Sequence, residues 1–428
     1  MKPKNLTVKE NEAYIRNFKL STLAERYGTP LFVFDEYELK DNIKLFKNNF
    51  KDDSFKTHIV YASKAFLVPA LCNIISKEKL YMDSVSLGDL YVAYKSKFPL
   101  NHVVFHGNNK SKEELEFAVK HHVGIIVIDH YEELVMLERI CRKENTSCNT
   151  MLRVNPGIDA HTHKYVQTAL YVSKFGESVY DMSKIDKIIR YYKTCKYCKL
   201  VGFHSHIGSQ ILDVEPFKVN IERMMKFSKY ITEKYCIELT AVNFGGGFGI
   251  KYQDSDTYLD KASLLKVMIE KIKETRKDIG WGPKDVYIEP GRSLLGESCV
   301  SLYTIGDFKT TYGNKNYCFV DGGMTDNIRP ALYGAKYSVD VANRMNGPKT
   351  IKCDVAGKCC ESGDIVAKDV LLPKFKAGDT LIVYSTASYT YSMASNYNNH
   401  LKPAVVFLGE KERIVARRET LDDLLRFF

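Results

Sequence analysis

Short apolar runs alternate with longer amphipathic segments through the middle of the chain, from about residue 55 to about residue 295. Eight runs between Ile59 and Glu289 each end in a polar or glycine-containing segment: HIVYASKAF, KLYMDS, HVVFHG, GIIVID, TMLRVN, LVGFHSH, VNFGGG and VYIEPG. Helix-length segments, such as residues 112–121 and 131–145, separate most of them. Strands that alternate with helices form a parallel sheet, and eight such units can close into a barrel. The pattern predicts a (β/α)8 TIM-type barrel with its active site at the carboxyl ends of the strands.

The pattern differs on either side of this region. Residues 20–27 are typical of a helix closed by Gly28, and a strand follows at residues 31–34. After Leu295 the runs are short and β-rich, among them CVSLYTIGDF, NYCFVDGG, TIKCDVAG and DTLIVYST, and GEKE favours a hairpin turn. We predict a C-terminal antiparallel β domain of sandwich or barrel type.

The predicted domains are an N-terminal segment at 1–35 that packs on the β domain, a barrel at 36–295 and the β domain at 296–428. The sequence leaves open whether the strand at 31–34 joins the β domain or leads into the barrel. A chain of 428 residues exceeds the usual size of a single core, which agrees with this division.

Composition excludes several classes of function. The net charge of +10 is dispersed along the chain without a basic arm, so we expect no nucleic-acid partner. The opening MKPKNLTVKE has no apolar signal core, and no apolar run is long enough to cross a bilayer. We expect a cytoplasmic protein without a membrane partner.

The eleven cysteines of such a protein are expected to be reduced. Cys195 and Cys198 form a CxxC, but no second pair stands at zinc-finger spacing, so we interpret them as two thiols near a helix end. His161 and His163 are interpreted as part of a polar loop. No metal site is therefore expected.

Lys64 stands one step past the first predicted barrel strand. Desolvation there would lower its pKa and prepare the amine to attack an aldehyde; the alternative is a lysine that extends to water at the rim. Gly245, Gly246 and Gly247 leave backbone N–H groups accessible to a phosphate, or simply form a tight turn.

EPGR and HSHIGSQ supply further candidates at strand ends. Glu289 can keep a pyridine nitrogen protonated, or form a structural ion pair with Arg292. His206 can lie against a cofactor ring and Ser209 can donate to phosphate, although a lone buried histidine is usually structural.

CCESGD, in the predicted β domain, places a thiol beside a carboxylate. Cys360 can give a proton to a carbanion and Glu361 can hold an ammonium group; the alternative for Cys360 is a buried cysteine.

Many ordered segments, from YGTPLFVFDE to RRETLDDLL, cover nearly the whole chain: YASKAF, NPGIDAHTH, SKFG, HSHIGSQI, NFGGGFGI, EPGRSLLGE, DGGMTDNIRPALYGA, VAGKCCESGD and ASNYNNHLKPA. Together they resemble the diaminopimelate decarboxylase family, pyridoxal-phosphate enzymes that share the alanine racemase barrel. The resemblance implies decarboxylation of meso-2,6-diaminopimelate to L-lysine and carbon dioxide, the last step of lysine biosynthesis. It also implies pyridoxal 5'-phosphate as cofactor and a homodimer with shared active sites.

The resemblance also implies a role for each site residue. Lys64 would bond covalently to the cofactor, with Asp83 beside it, His206 on the ring and Glu289 at the ring nitrogen. The phosphate would be held by Ser209, Gly245, Gly246, Gly247, Gly291 and Arg292, with Tyr389. The distal end of the substrate would be bound by Arg292, Arg329, Tyr333, Glu361 and Tyr389. Cys360 would be the general acid and, with Glu361, would come from the partner subunit.

The main alternative is a decarboxylase of ornithine, arginine or a related polyamine precursor on the same fold. Those substrates lack a second amino-acid head, whereas Arg329 offers a bidentate partner for a distal carboxylate. An alanine racemase-type enzyme is disfavoured by Glu289, because racemases often place arginine there. A regulator without activity is disfavoured by the presence of both Lys64 and Cys360.

Overall fold

The computed structural model describes residues 2–158 and 173–428. The chain forms two compact units. The first, the β unit, comprises Met1–Asn42, Ile250–Tyr258 and Leu295–Phe428; the second, the barrel unit, comprises Ile43–Gly249 and Leu259–Leu294. The predicted domain boundaries after residues 35 and 295 stay predictions. His161 and His163 lie outside the described residues.

The strands of the described residues vary widely in length in both units. They are β1 (Leu6–Lys9), β2 (Glu12–Ile15), β3 (Phe18–Lys19), β4 (Leu31–Asp35), β5 (Lys56–Tyr61), β6 (Tyr81–Ser84), β7 (Val103–Phe105), β8 (Ile125–Ile128), β9 (Cys148–Asn155), β10 (Glu177–Ser178), β11 (Cys198–His204), β12 (Ala241–Asn243), β13 (Asp285–Ile288), β14 (Cys299–Thr310), β15 (Asn316–Val320), β16 (Val339–Val341), β17 (Lys349–Ala356), β18 (Ile365–Pro373), β19 (Thr380–Val383), β20 (Ala404–Leu408) and β21 (Glu412–Ala416).

The helices of the described residues lie mainly between the barrel strands. They are α1 (Leu20–Tyr27), α2 (Glu36–Asn49), α3 (Pro69–Lys77), α4 (Leu87–Lys95), α5 (Lys112–Lys120), α6 (Tyr131–Lys143), α7 (Met182–Tyr192), α8 (Glu215–Tyr235), α9 (Lys261–Ile279), α10 (Arg292–Leu295), α11 (Arg329–Tyr333) and α12 (Leu421–Leu425). None of them is both long enough and apolar enough to cross a membrane.

The barrel is a closed ring of parallel strands in the order β5-β6-β7-β8-β9-β11-β12-β13, with β13 pairing back to β5. All eight predicted strands are confirmed. Their side chains fill the interior with apolar residues such as Val60, Val104, Val127 and Met151. Because every strand runs the same way, the residues that follow the strands collect at one end of the ring.

The predicted helices are confirmed with small differences at their ends. The helix expected at 112–121 ends at Lys120, and its first turn is closed by a reciprocal capping box between Ser111 and Glu114. The helix expected at 131–145 ends at Lys143. The predicted N-terminal helix, α1, ends at Tyr27, with Gly28 at its C-cap as expected.

The β unit contains a sheet in the order β18-β17-β15-β14-β4-β20-β21, with β19 pairing to β14 and β16. Strand β4 lies between β14 and β20, which answers the question that the sequence left open. Strands β20 and β21 form the predicted antiparallel hairpin around GEKE.

The predicted antiparallel β domain is confirmed as mostly antiparallel, and two of its strand pairs are parallel. Strand β15 pairs with β17, and β4 pairs with β20, in parallel. Parallel pairs need long crossover connections. The segment between β15 and β17 contains α11 and β16, and β4 and β20 come from opposite ends of the chain, so local turn patterns could not indicate either pairing.

Candidate active site

Glu289 follows strand β13, and its buried carboxylate accepts three hydrogen bonds from neighbouring strand ends. His106 Nε2 lies 2.8 Å from Oε1, Asn243 Nδ2 lies 2.7 Å from Oε1, and His204 Nε2 lies 3.2 Å from Oε2. His204 and Asn243 are the last residues of β11 and β12, and His106 follows β7 directly. The parallel barrel therefore fixes a carboxylate at the carboxyl ends of its strands.

These contacts determine the charge of the cluster. Burial alone would raise the pKa of Glu289, but its interactions with His106 and His204, including their hydrogen bonds, hold it well below its usual range. Burial lowers the pKa of His204 to about 3, against the opposing effect of Glu289. A neutral His204 that donates from Nε2 to an ionised Glu289 agrees with both shifts. His204 Nδ1 has no hydrogen-bond partner among the described residues, which is consistent with this tautomer.

Gly245, Gly246 and Gly247, here called the glycine cradle, follow β12 and leave no space for side chains. A Cβ at Gly245 would lie 2.2 Å from the Ser205 carbonyl oxygen, and one at Gly246 would lie 2.1 Å from that of Glu289. Gly245 and Gly247 also have φ angles of +70° and +105°, which favour glycine. The close approach and the backbone conformation explain why three glycines stand together here.

His206 lies against the glycine cradle. Its Nδ1 accepts a hydrogen bond from the Gly246 N–H at 3.1 Å. Burial, with a further contribution from the Lys64 charge, lowers the pKa of His206 well below its usual value. The ring is therefore neutral, with its proton on Nε2, and presents an uncharged aromatic surface.

Lys64 lies in a short 3₁₀ turn directly after β5, and its Nζ is 3.8 Å from Oδ2 of the buried Asp83. Burial raises the pKa of Asp83 to about 6, although the charges of Lys64 and His106 oppose this shift. Of the two alternatives for Lys64, the 40% exposure of its side chain favours a lysine that extends toward water at the rim over a fully desolvated one.

Ser209, Gly291 and Arg292 lie on loops of the same barrel end. Arg292 Nη2 donates to Ser209 Oγ at 3.1 Å, and the arginine is buried. A Cβ at Gly291 would lie 2.8 Å from Ala62 Cβ, so glycine lets the EPGR segment pack on the residue that precedes Ser63 and Lys64. Arg292 and Ser209 thus combine a cation and a hydroxyl that can bind an anion.

In the β unit, Arg329 is buried among tyrosines. Its Nε donates to Tyr337 Oη at 2.8 Å, and its guanidinium carbon lies 5.4 Å from the Tyr333 ring and 6.0 Å from the Tyr389 ring. Among the described residues, no carboxylate lies within ion-pair distance of Arg329. Tyr389 has a φ angle of +59°, a conformation that is uncommon outside glycine and is often found at functional sites.

The CCESGD loop exposes Cys360 and Glu361 but buries Cys359. Asp364 accepts a hydrogen bond from the Cys359 N–H at 2.8 Å. The Cys360 N–H donates to Asn398 at 2.8 Å. The alternative of a buried Cys360 is therefore wrong, and the loop presents this thiol outward.

Comparisons with known proteins agree with this site. Residues 37–296 match the family described as "Pyridoxal-dependent decarboxylase, pyridoxal binding domain". The diaminopimelate decarboxylase of Bacillus subtilis (strain 168) is 42% identical over 405 residues, 94% of this chain and 92% of the relative. That of Staphylococcus aureus (strain COL) is 41% identical over 428 residues, 98% and 99% of the two chains.

A solved structure gives the same result. The diaminopimelate decarboxylase from M. jannaschii, in co-complex with L-lysine, superposes with a TM-score of 0.92 at 29% identity and covers 99% of this chain and 97% of that chain. The chain belongs to the diaminopimelate decarboxylase family. The family members found in these comparisons align with almost the full length of this chain, so the relationship includes both units.

The barrel site fits the pyridoxal group that the family name implies. A carboxylate offers about four lone-pair positions, and Glu289 uses three of them, which leaves one for a pyridinium N–H. In the glycine cradle no side chain covers the main chain, because any Cβ there would meet backbone oxygen, so no side chain would block a phosphate group from the backbone. Lys64 supplies an amine at the same barrel end.

The structure distributes the predicted residues over both units. The barrel unit carries Lys64, Asp83, His206, Ser209, Gly245, Gly246, Gly247, Glu289, Gly291 and Arg292; the β unit carries Arg329, Tyr333, Cys360, Glu361 and Tyr389. His106, His204 and Asn243 were not predicted as site residues of this decarboxylase family member. The sequence did contain a signal for these three residues, because each is a polar residue at the end of a predicted strand.

Proposed function

We propose that this chain decarboxylates meso-2,6-diaminopimelate to L-lysine and carbon dioxide with pyridoxal 5'-phosphate as cofactor. The observation that carries the proposal is the buried guanidinium of Arg329, which lies among tyrosines and has no carboxylate within ion-pair distance in the described residues. A buried cation needs an anionic partner. The distal carboxylate of diaminopimelate supplies one.

The cofactor would be held by barrel-unit residues. Lys64 would hold its aldehyde carbon and Glu289 its ring nitrogen. The phosphate would be held by the glycine cradle together with Ser209, Gly291 and Arg292, with Tyr389 from the β unit. When bound, pyridoxal phosphate supplies an electron sink for the pair that remains when carbon dioxide leaves.

The protein's own groups keep that sink effective. Glu289 is held ionised by its three donors, so it would stabilise a proton on the ring nitrogen of the cofactor. His206 is neutral, so it would lie against the cofactor ring without adding a competing positive charge. Asp83 lies 3.8 Å from the Lys64 ammonium and holds that side chain at the barrel mouth.

Substrate recognition would depend on two charges at the distal end of diaminopimelate. Arg329 would bind the distal carboxylate bidentately, with Tyr333 and Tyr389 beside it and Arg292 assisting. Glu361 would bind the distal ammonium. Ornithine has the distal ammonium but no distal carboxylate. An ornithine- or arginine-type substrate would therefore leave Arg329 without a partner.

Cys360 would give a proton from Sγ to the carbon that has lost carbon dioxide, and solvent would restore it. Its exposure on the single chain agrees with a role completed by another subunit. We propose a homodimer in which Cys360 and Glu361 of one protomer serve the barrel site of its partner.

The direct test is an assay of purified protein with added pyridoxal phosphate. We expect equal amounts of carbon dioxide and L-lysine from meso-diaminopimelate, and much slower release from L-ornithine. Faster release from ornithine would reject the substrate assignment.

A further inference from the structure

Three buried cysteines meet at the end of the barrel opposite to Glu289. Cys148 and Cys198 are the first residues of the neighbouring strands β9 and β11, where they pair in register, and Cys141 lies in the last turns of helix α6. Glu289 follows the carboxyl end of its strand, whereas these cysteines stand at the amino ends of theirs. The cluster is therefore separate from the decarboxylase site.

The sulfur atoms have the spacing of a metal site. Cys141 Sγ lies 3.4 Å from Cys148 Sγ, which lies 3.9 Å from Cys198 Sγ, and all three are within 4.8 Å of one another. Zinc–sulfur bonds of about 2.3 Å in a tetrahedron place sulfur atoms roughly 3.8 Å apart. A cation at the centre needs only small side-chain movements.

The backbone around the cluster is fixed by a carboxylate. Glu138, on α6, accepts hydrogen bonds from the N–H groups of Lys196, Tyr197 and Cys198 at 3.0, 3.2 and 3.0 Å. The Cys148 N–H donates to the Tyr197 carbonyl at 3.0 Å. These bonds hold the helix and both strand starts together before any ion binds, so the site is largely preformed.

We propose that Cys141, Cys148 and Cys198 bind one soft divalent cation of the zinc type. On binding, three S–H protons pass to solvent and three metal–sulfur bonds form, with water in the fourth position. Thiolates select zinc-type ions over the oxygen-preferring magnesium and calcium. Through its three thiolates the ion would link α6, β9 and β11.

Cys195 was the more visible candidate in the sequence, through its CxxC spacing with Cys198. Its thiol instead donates to the Tyr191 carbonyl at 3.4 Å, and it is not part of the three-sulfur cluster. Spacing along the chain predicted no metal site, because only the pairing of β9 with β11 and the position of α6 bring the three cysteines together.

The test is a titration of the reduced, full-length, cofactor-loaded protein with Co²⁺, followed by Zn²⁺. We expect the near-ultraviolet charge-transfer band of a cobalt thiolate, saturating at one ion per chain and removed by zinc. Cys148→Ala and Cys198→Ala should each weaken binding at least about tenfold. Cys236→Ala, at an exposed thiol after α8, is the matched control and should bind as the wild type does.

Alkylation mapping keeps the test valid if a variant does not fold. In wild-type protein, zinc should protect Cys141, Cys148 and Cys198 from a thiol reagent under mild unfolding, and leave Cys236 reactive. Absence of a thiolate band in reduced, folded wild-type protein would overturn the proposal. A band retained in both cluster variants would overturn it as well.

Discussion

His204 donates a hydrogen bond from Nε2 to Oε2 of Glu289, with 3.2 Å between the two atoms. Both residues are buried, and each shifts the pKa of the other against the effect of burial. His204 can affect the reaction without contacting the substrate. It helps to keep Glu289 ionised, and an ionised Glu289 is what a protonated pyridine nitrogen requires.

We predict that His204→Leu lowers kcat and shifts the acid limb of the pH–rate profile to higher pH. Loss of a hydrogen bond to a charged group costs about 1.5–3 kcal/mol, which corresponds to a roughly 10- to 100-fold decrease in rate. Steady-state kinetics across the acid range measure both effects. His204→Gln retains a donor and should recover part of the loss.

The matched control is His58→Leu. Like His204, His58 contacts a carboxylate: its Nε2 lies 2.8 Å from Asp285 Oδ1. This pair, however, stands at the amino end of β13. This variant should keep the wild-type pH profile. An acid limb that does not move in His204→Leu would contradict the role assigned to His204.

Arg329 provides a second prediction. Arg329→Leu should lower kcat/KM for meso-diaminopimelate, because removal of one partner of a buried ion pair costs about 3–5 kcal/mol, roughly 100- to 5,000-fold. Arg329→Lys should recover little, because an ammonium cannot form the bidentate contact. Substrate kinetics with meso-diaminopimelate measure the change.

Arg413→Leu is the control for loss of an arginine from the same unit. Arg413 is partly exposed and pairs with Glu36 at 2.9 Å, and neither residue is assigned a role in binding or catalysis. Its kcat/KM should match the wild type. If Arg329→Leu retains wild-type kcat/KM, the distal carboxylate is bound elsewhere.

Two adjacent cysteines allow a precise test of the general acid. Cys360→Ser should lower turnover about 100-fold or more, because general acid catalysis contributes 10²–10⁴-fold. Cys359→Ser should leave turnover near the wild-type value, because Cys359 is buried in a loop held by Asp364. Equal losses in both variants would reassign the acid.

Complementation tests whether Cys360 serves the partner's site. Lys64→Ala and Cys360→Ala protein are each expected to be inactive, and their mixture should recover up to about a quarter of wild-type activity through mixed dimers with one intact site. Recovery should follow the rate of subunit exchange. No recovery after complete exchange would indicate that each chain completes its own site.

Glu38 gives a prediction about stability and pH. Burial, with the charges of Glu297 and Asp35, raises the pKa of Glu38 from 4.5 to about 7. Between those values the folded state binds more protons than the unfolded state, so this group's contribution to stability falls as pH rises. Glu38→Gln should therefore raise stability above pH 7, by up to about 3 kcal/mol, and the gain should vanish below about pH 4.5.

Thermal unfolding of both proteins at a series of pH values measures this difference. Glu410→Gln, at an exposed position in the β20–β21 turn, is the control and should show no such dependence. A Tm difference between wild type and Glu38→Gln that is constant with pH would contradict the assigned titration.

Much of the fold could be predicted because its signals are local. Buried parallel strands read as apolar runs, and the Ser111 cap and Gly28 mark helix ends. Strand β18 was missed because Lys368 and Asp369 interrupt its apolar positions and Asp369 has a φ angle of +51°. The parallel pair of β4 and β20 was missed because it joins distant segments.

The site was predictable where its chemistry lies in one motif. Lys64, the glycine cradle and Glu289 each stand in a distinctive segment. His106, His204 and Asn243 do not, and only closure of the barrel brings them to one carboxylate. The exposure of Cys360 could not be predicted from its motif either, because it depends on the loop conformation that the hydrogen bond to Asp364 stabilises.

Whether Lys64 carries the cofactor is tested most directly by reductive trapping of pyridoxal phosphate on the native protein, followed by peptide mapping. We expect one reduced adduct per chain, on Lys64, and no adduct in Lys64→Ala. Lys110 also follows a barrel strand, but it is buried against Glu133 at 2.6 Å and should remain unmodified. An adduct on Lys110 or another lysine, with Lys64 unmodified, would show that Lys64 does not carry the cofactor.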